Sequence, residues 1–271
     1  MSTPATTPER QRSRSRQSGR LTASGRRAIQ VASVLGFFLV WHLVVAIGQF
    51  PDYLLPAPLA IAEALASELR SGQLLALAAD SLTHYGLGLA VGTALGMAVG
   101  VLVAWHRRLE TVVEPILRLL RPIPPLAWIP FAIIWMGISQ AAAAFVIAIV
   151  AFWINYYNSY AGVKGVDPQR LDAARSLGVR SPWRLIRKVV LPDATPAMLT
   201  GVRTAIGQGW MAVVAAELFG VRGLGLQMVE ASGYLAMDVV MAYMLVLGVL
   251  FSVFDGGFRM LERFLLRWRA T

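Results

Sequence analysis

The chain has 271 residues, of which 56% are hydrophobic, and a mean hydropathy of +0.59, which indicates a multi-pass membrane protein rather than a soluble one. It carries a net charge of +10, no cysteine and three isolated histidines, His42, His84 and His106. Disulfides, thiolate metal sites and cysteine catalysis are therefore excluded, and no cluster of metal ligands is indicated.

The chain begins with a polar tail and an apolar stretch. Residues 1–27 hold seven arginines and one acidic residue among many Ser, Thr and Pro, which is typical of a disordered basic tail. The apolar run 28–50 is longer than the core of a signal peptide, so we predict the first transmembrane helix there. For residues 51–79, which begin with PDYLLPAPL, we predict a turn and a short connector helix outside the bilayer.

The second span, about 83–105, carries a ladder of glycines at four-residue spacing. Small residues at this spacing let helices approach closely in lipid. We therefore predict a packing seam, within the chain or between two copies, formed by Gly88, Gly92, Gly96 and Gly100.

The third span is interrupted by prolines in the string RPIPPLAWIP, residues 121–130. Such a run cannot form one straight helix, and broken backbone at membrane depth is tolerated only where it is buried in protein or lines a cavity. Pro124, Pro125 and Trp128 are therefore candidates for a translocation pathway or gate.

Three further spans are predicted, at about 140–160, 197–219 and 236–258. The fifth carries Arg203 and Glu217, which are also pathway or gate candidates because ionisable groups inside a membrane are costly. These two residues lie at opposite ends of one helix. The alternative is that each side chain reaches its own membrane interface.

The polar stretch 167–196 separates the fourth and fifth spans. The pairs Asp167–Pro168, Ser181–Pro182 and Thr195–Pro196 each predict a helix start, and Gly178 predicts the end of the first helix. We expect two short helices followed by the fifth span. From the residues alone, this stretch is either a basic amphipathic hairpin lying on the membrane or a docking element for another protein.

The distribution of basic residues predicts the orientation. With six spans, 22 of the 25 Lys and Arg residues fall on one face, which the positive-inside rule makes cytoplasmic. Both termini and the loop 161–195 are then cytoplasmic, as is the basic tail 263–271. This placement explains the net charge by contact with membrane lipid, without nucleic acid.

The sequence lacks the motifs of an energy-converting or catalytic site. It contains no GxxxxGK[ST] nucleotide loop, GxSxG or HExxH. An ion-coupled secondary transporter would need facing intramembrane carboxylates and an inverted repeat, and a membrane-embedded enzyme would need a nucleophile, base or metal set. Neither pattern is found, but both classes remain alternatives to a permease driven by a partner.

Several motifs together resemble those of ABC-importer permeases. Asp172-Ala173-Ala174, then Gly178 and Leu191-Pro192, resembles their cytoplasmic EAA signature, with Asp in place of the usual Glu. The spacer after Gly178 is one residue longer than the commonest form, and we expect the turn 179–181 to absorb it. Over about residues 30–269, three strings resemble the aliphatic sulfonate, taurine and nitrate group: RPIPPLAWIP (121–130), VVAAELFGVRGLG (213–225) and LERFLLRWR (261–269).

This resemblance implies an all-α polytopic membrane protein with six transmembrane helices and the type I ABC importer permease fold, whose core covers residues 80–262. Two copies would form a homodimer, with an ABC ATPase subunit dimer on the cytoplasmic side and an extracytoplasmic substrate-binding protein opposite. ATP and Mg²⁺ would bind the ATPase, so no cofactor is expected on this chain. The substrate would be an aliphatic sulfonate or taurine, with nitrate or a small heterocycle as the alternative.

The resemblance also implies which residues couple transport to ATP hydrolysis. Helix 168–177 would be the coupling helix, which inserts into a groove of the ATPase. The residues expected to carry this contact are Asp172, Ala173, Ala174, Arg175, Leu177, Gly178, Leu191 and Pro192.

Overall fold

The structure is a computed structural model that describes residues 23–48, 50–51 and 53–265, and every regular element in this part of the chain is helical. The predicted tails, 1–27 and 263–271, lie mostly outside the described residues. The helices are α1 (Ala23–Gly48), α2 (Pro58–Arg70), α3 (Gln73–Trp105), α4 (Arg107–Leu120), α5 (Ile129–Met136), α6 (Gln140–Lys164), α7 (Pro168–Ser176), α8 (Pro182–Leu185), α9 (Leu191–Glu217), α10 (Leu224–Gly233) and α11 (Met237–Leu265). The chain divides into two compact units, residues 1–49, which contain α1, and residues 50–271, which contain α2–α11.

The six predicted spans correspond to α1, α3, the pair α4–α5, α6, α9 and α11. Within the described residues, α3, α6 and α11 are each long and apolar enough to cross a membrane alone, and the bent pair α4–α5 would add a fourth crossing. The apolar part of α1, Ala32–Gly48, is shorter. Helix α9 has 27 residues, but Asp193, Arg203 and Glu217 make it less apolar.

Helices α3, α6 and α9 form the centre of the second unit. Their largest fully buried side chains include Tyr85, Ile147, Ile206 and Val213. The Tyr85 hydroxyl donates to the carbonyl of Ile206 at 3.0 Å, which satisfies the phenol inside an apolar cluster. This packing fixes α9 against both of the other long helices.

The glycine ladder of α3 lies directly on α6. A Cβ atom on any of the four glycines would come within 2.6 Å of an α6 carbonyl oxygen, and no real Cβ approaches an oxygen so closely. Gly88, Gly92, Gly96 and Gly100 face the carbonyls of Ala144, Ala148, Phe152 and Tyr156 respectively. Because both sets of residue numbers rise together, α3 and α6 run parallel.

The third predicted span is broken, as the prolines indicated. Helix α4 is amphipathic and ends at Leu120, a 3₁₀ turn covers Pro125–Trp128, and α5 begins at Ile129. The segments Arg107–Leu120 and Pro125–Met136 are bent by 93° relative to each other. The expectation that this stretch is not one straight helix is confirmed.

Two predicted helix starts are wrong. Helix α3 begins at Gln73 rather than near residue 83, because residues that the sequence placed in the connector continue the helix and bury Leu74 and Leu77. The pair Thr195–Pro196 starts no helix and lies inside α9. A π-helical turn, Ile186–Val190, joins α8 to α9, and the Thr195 hydroxyl donates to the Leu191 carbonyl at 2.7 Å instead of capping a helix.

Candidate functional site

The first candidate region is α7, whose two ends are both capped. The side chain of Asp167 accepts a hydrogen bond from the Gln169 N–H at 2.8 Å, as the Asp–Pro pair predicted. At the other end, the N–H of Gly178 bonds to the Arg175 carbonyl and the N–H of Val179 to the Ala174 carbonyl, each at 3.0 Å. This is a Schellman motif, so α7 is a short helix with defined ends.

Gly178 occupies the position of that motif that needs a left-handed backbone. Its φ is +89°, which glycine adopts without the steric penalty of a Cβ atom. A Cβ atom there would meet nothing within 4 Å. Within this chain, glycine is therefore favoured at position 178 by the backbone conformation and not by a lack of space for a side chain.

One face of α7 is attached to the start of α9. Leu171 packs against the apolar cluster that contains Val166, Val190 and Ala194. Arg170 forms an ion pair with Asp193 of α9. A displacement of α7 is therefore transmitted directly to the first turn of a long helix.

The opposite face of α7 is open. Asp172, Ala173, Arg175 and Leu177 are exposed, with Leu177 at 85%, and Asp172 and Arg175 form an exposed ion pair at 2.9 Å. Ala174 is half-buried, Leu191 is half-buried and Pro192 is exposed.

The stretch after α7 differs in detail from the predicted amphipathic helix. Ile186 and Val190 are buried, but Trp183 is 68% exposed, and Arg184, Arg187 and Lys188 are exposed beside it. The π-helical turn accommodates more residues per turn than an α-helix. The spacer after Gly178 is one residue longer than in the commonest form of the EAA signature. The π-helical turn is a second place, besides the turn 179–181, that can accommodate this residue.

A buried polar cluster lies at the opposite end of the second unit. Ser81, His84 and Glu217 have no exposed surface, although they belong to the apolar helices α3 and α9. Glu217 Oε1 lies 2.5 Å from Ser81 Oγ and 2.8 Å from His84 Nε2. On the other side of the imidazole, His84 Nδ1 lies 2.6 Å from Gln140 Oε1 at the start of α6.

The same cluster holds the first turn of α10. The Gly225 N–H donates to Glu217 Oε2 at 2.5 Å, and the Leu224 N–H donates to Ser81 Oγ at 2.9 Å. A carboxylate that accepts several hydrogen bonds can be buried at tolerable cost, whereas an unpaired one cannot. The cluster therefore ties α3, α6, α9 and the start of α10 together.

This arrangement contradicts the alternative in which the Glu217 side chain reaches a membrane interface. Sequence reasoning also missed Ser81 and Gln140 and treated His84 as isolated. The only local signal was the spacing of Ser81 and His84, three residues apart and therefore on one helical face. Their contact with Glu217 depends on tertiary packing.

The remaining pathway candidates are separated by α6. Pro125 lines a cavity of about 220 Å³ between the broken backbone, α6 and α9, together with Gln208 and Met211. Trp128 instead lines an apolar cavity of about 310 Å³ bounded by α3, α4 and α6. Pro124 lies just before the 3₁₀ turn, with φ −63° and ψ 141°.

Arg203 lies on the exposed side of α9. Its side chain is 49% exposed and is 3.9 Å from Glu262 of α11. Arg203 and Glu217 thus have different surroundings, one half-exposed and the other fully buried.

Comparison with known proteins identifies the family. Residues 92–267 match the binding-protein-dependent transport system inner membrane component family, and the chain belongs to it. It is therefore a permease subunit of an ABC importer, a multi-pass membrane protein, and not an enzyme. This membership excludes the secondary transporter and the membrane-embedded enzyme that the sequence left as alternatives.

Three relatives cover most of the chain. A permease protein of Bacillus subtilis assigned to aliphatic sulfonate transport is 32% identical over 86% of this chain and 84% of its own length. The taurine transport system permease of Escherichia coli is 33% identical over 89% and 90%. The bicarbonate transport system permease of Synechococcus elongatus is 32% identical over 88% and 89%.

The fold also matches solved structures. A chain of the inward-facing MetNI methionine ABC transporter superimposes with a TM-score of 0.63, covering 72% of this chain and 97% of that chain at 21% identity. The chain therefore has the type I ABC importer permease fold.

Proposed function

We propose that two copies of this chain form the translocation pathway of an ATP-driven importer of a small anion, first of all an aliphatic sulfonate or taurine. An ABC ATPase dimer docks on α7, and a substrate-binding protein delivers the anion on the opposite side. ATP and Mg²⁺ belong to the ATPase. Both termini and α7 lie in the cytoplasm, on the face that carries most of the basic residues.

The geometry of α7 carries the proposal. A nine-residue helix capped at both ends is exposed on one face and joined on the other to α9 by Leu171 and the Arg170–Asp193 pair. A helix that only lay on a membrane would need no rigid connection to a spanning helix. A docking helix with such a connection can convert closure of the ATPase into rotation of the spans.

The proposed contact surface is the exposed side of α7 with the residues that follow it. Asp172 and Arg175 offer charges of both signs, and Ala173 offers a small surface that allows close approach. Gly178 preserves the cap, whereas Leu191 and Pro192 begin the helix that receives the motion.

Ala173→Trp tests this surface without touching either cap. We expect association with the ATPase to weaken at least about tenfold and uptake to be lost, while membrane insertion stays normal. Val112→Trp, at a 66% exposed position of α4, is the matched control for an added indole and keeps association and uptake. Normal uptake by Ala173→Trp would refute docking on α7.

Gly178→Trp should also uncouple transport, but it combines bulk with an unfavourable backbone conformation. Gly178→Asn separates the two effects, because Asn tolerates the left-handed region. We expect the Asn variant to retain most ATPase association and the Trp variant to lose it, measured by co-purification of the ATPase.

The proposed substrate class is supported by the relatives that cover most of the chain, which are named for aliphatic sulfonate, taurine and bicarbonate transport. All three substrates are small anions or carry an anionic group. Nitrate or a small heterocycle is the alternative. Uptake of radiolabelled taurine, nitrate and bicarbonate by the reconstituted importer with its binding protein would decide between them.

A further inference from the structure

Helix α9 exposes a polar face along the middle of its length. Thr200, Arg203, Thr204, Gln208 and Met211 are exposed. Arg203 and Thr204 lie three and four residues after Thr200, and Gln208 and Met211 continue at spacings of four and three, so all five share one side of the helix. The opposite side of the helix buries Ala205, Ile206, Gly209 and Val213. We call the exposed residues, together with Gly207, the polar face of α9.

This face differs from the exposed face of α3, which also crosses the membrane. The exposed large side chains of α3 are aliphatic: Leu75, Leu87, Val91, Leu95 and Leu102. An amide and a guanidinium in contact with lipid hydrocarbon would lose their hydration without a compensating partner, which is unfavourable. The polar face of α9 is therefore unsuited to contact with lipid, whereas the exposed aliphatic face of α3 is suited to it.

A cavity adjoins the polar face. Gln208 and Met211 line it from α9, Val146 and Val150 line it from α6, and Pro125 closes it from the broken segment. Non-helical backbone at membrane depth requires protein or a water-filled cavity around it. The broken third span and the polar face therefore meet at the same cavity.

The polar face offers donors for an anion. The hydroxyls of Thr200 and Thr204 donate to carbonyls of their own helix, at 2.9 Å each, so they are already used. The Arg203 guanidinium is half-exposed and only loosely paired with Glu262, and the Gln208 amide is exposed one and a half turns further along. Gly207 lies between them, and a Cβ atom on it would meet nothing within 4 Å, so there is free space at this position.

We propose that the polar face of α9 lines the translocation pathway and that Arg203 and Gln208 are the residues on it that select a small anion. This inference rests on the proposed function. Arg203 supplies a positive potential and Gln208 a neutral hydrogen-bond donor, and the free space at Gly207 allows the anion to pass between them.

The absence of cysteine from the chain permits a direct test. Thr204→Cys and Gln208→Cys are each placed in the complete importer in membrane vesicles and treated with two membrane-impermeant thiosulfonates, one an ethylsulfonate and the other a quaternary ammonium. Leu87→Cys, on the apolar face of α3, is the control. We expect both α9 positions to react, the ethylsulfonate to react faster, and the α3 position to stay unreacted.

Arg203→Ala in the Gln208→Cys background should lower the ratio of anionic to cationic reaction rates about threefold or more, because one charge is removed about 7.5 Å away along the helix. No reaction at either α9 position would mean that this face contacts lipid. Disulfide formation between two copies at these positions, without reaction, would mean a seam between subunits. Either result would overturn the inference.

Gly207→Leu distinguishes failure of this inference from failure of the proposed function. The variant should assemble with the ATPase and retain stimulation of ATP hydrolysis by the binding protein, but lose at least about 90% of uptake. Gly86→Leu, also at a position of α3 with nothing within 4 Å, should transport normally. If the wild-type complex hydrolyses ATP and transports while Gly207→Leu transports equally well, the pathway assignment fails and the importer function stands.

Discussion

The Oε1 atom of Glu217 and the Nε2 atom of His84 lie 2.8 Å apart, with both side chains completely buried between α9 and α3. Together with the hydrogen bonds from Ser81 and the Gly225 N–H, this contact places a carboxylate at the junction of two spanning helices and the start of α10. Removing one partner from a buried pair leaves the other without compensation, which costs more than the pair itself contributes.

Glu217→Ala should therefore lower the free energy of unfolding by about 3–5 kcal/mol and release the first turn of α10, which includes Leu224 and Gly225. Thermal unfolding in detergent and limited proteolysis at the start of α10 would measure the two effects. Glu262→Ala is the matched control, since that carboxylate is 22% exposed and 3.9 Å from its arginine, and it should cost less than about 1 kcal/mol. Equal losses for the two variants would contradict a structural role of the cluster.

The glycine ladder gives a second prediction. Gly92→Leu should destabilise the protein by about 1–3 kcal/mol or more, because its Cβ atom would overlap the Ala148 carbonyl of α6. Combined with Gly96→Leu, it should abolish folding in the membrane, measured as loss of monodisperse protein after solubilisation. Gly86→Leu on the same helix meets no atom within 4 Å and should behave as wild type. An equally well-folded double variant would disprove close packing of α3 on α6.

The N-cap residues of α7 and α8, Asp167 and Ser181, should differ in how much their substitution destabilises the helix that follows. Asp167→Ala should destabilise α7 by about 1 kcal/mol, because its side chain caps Gln169, while Asp167→Asn should retain most of the cap. Ser181 makes no side-chain cap bond at α8, so Ser181→Ala should have little effect. Proteolysis within α7 would measure fraying, and matching cleavage rates for the two alanine variants would argue against the assigned cap.

Local chemistry made α7 predictable. An acidic cap before proline and a glycine at the other end placed the helix at 168–177, and the structure has Pro168–Ser176. The same type of signal failed at Thr195–Pro196, because Pro192 and the π-helical turn before it had already started the helix. A local capping pair predicts a helix start only when the preceding residues are not yet helical.

The buried cluster could not be predicted from sequence. Glu217 looked like a charge at the end of a span, and nothing near it in the sequence indicated an imidazole and a hydroxyl as partners. Those groups lie on α3, and their approach depends on the contacts among α3, α6 and α9. Periodicity identifies which face of a helix is buried, but not which distant polar group meets it.

The contact between α3 and α6 also restricts how such a transporter can move. At every fourth residue a carbonyl of α6 occupies the space that a side chain of α3 would fill. A screw displacement of α3 by one residue would bring Leu87, Val91 and Leu95 against that backbone, so we expect the two helices to move as one rigid body. A covalent cross-link between them is then expected to leave transport intact.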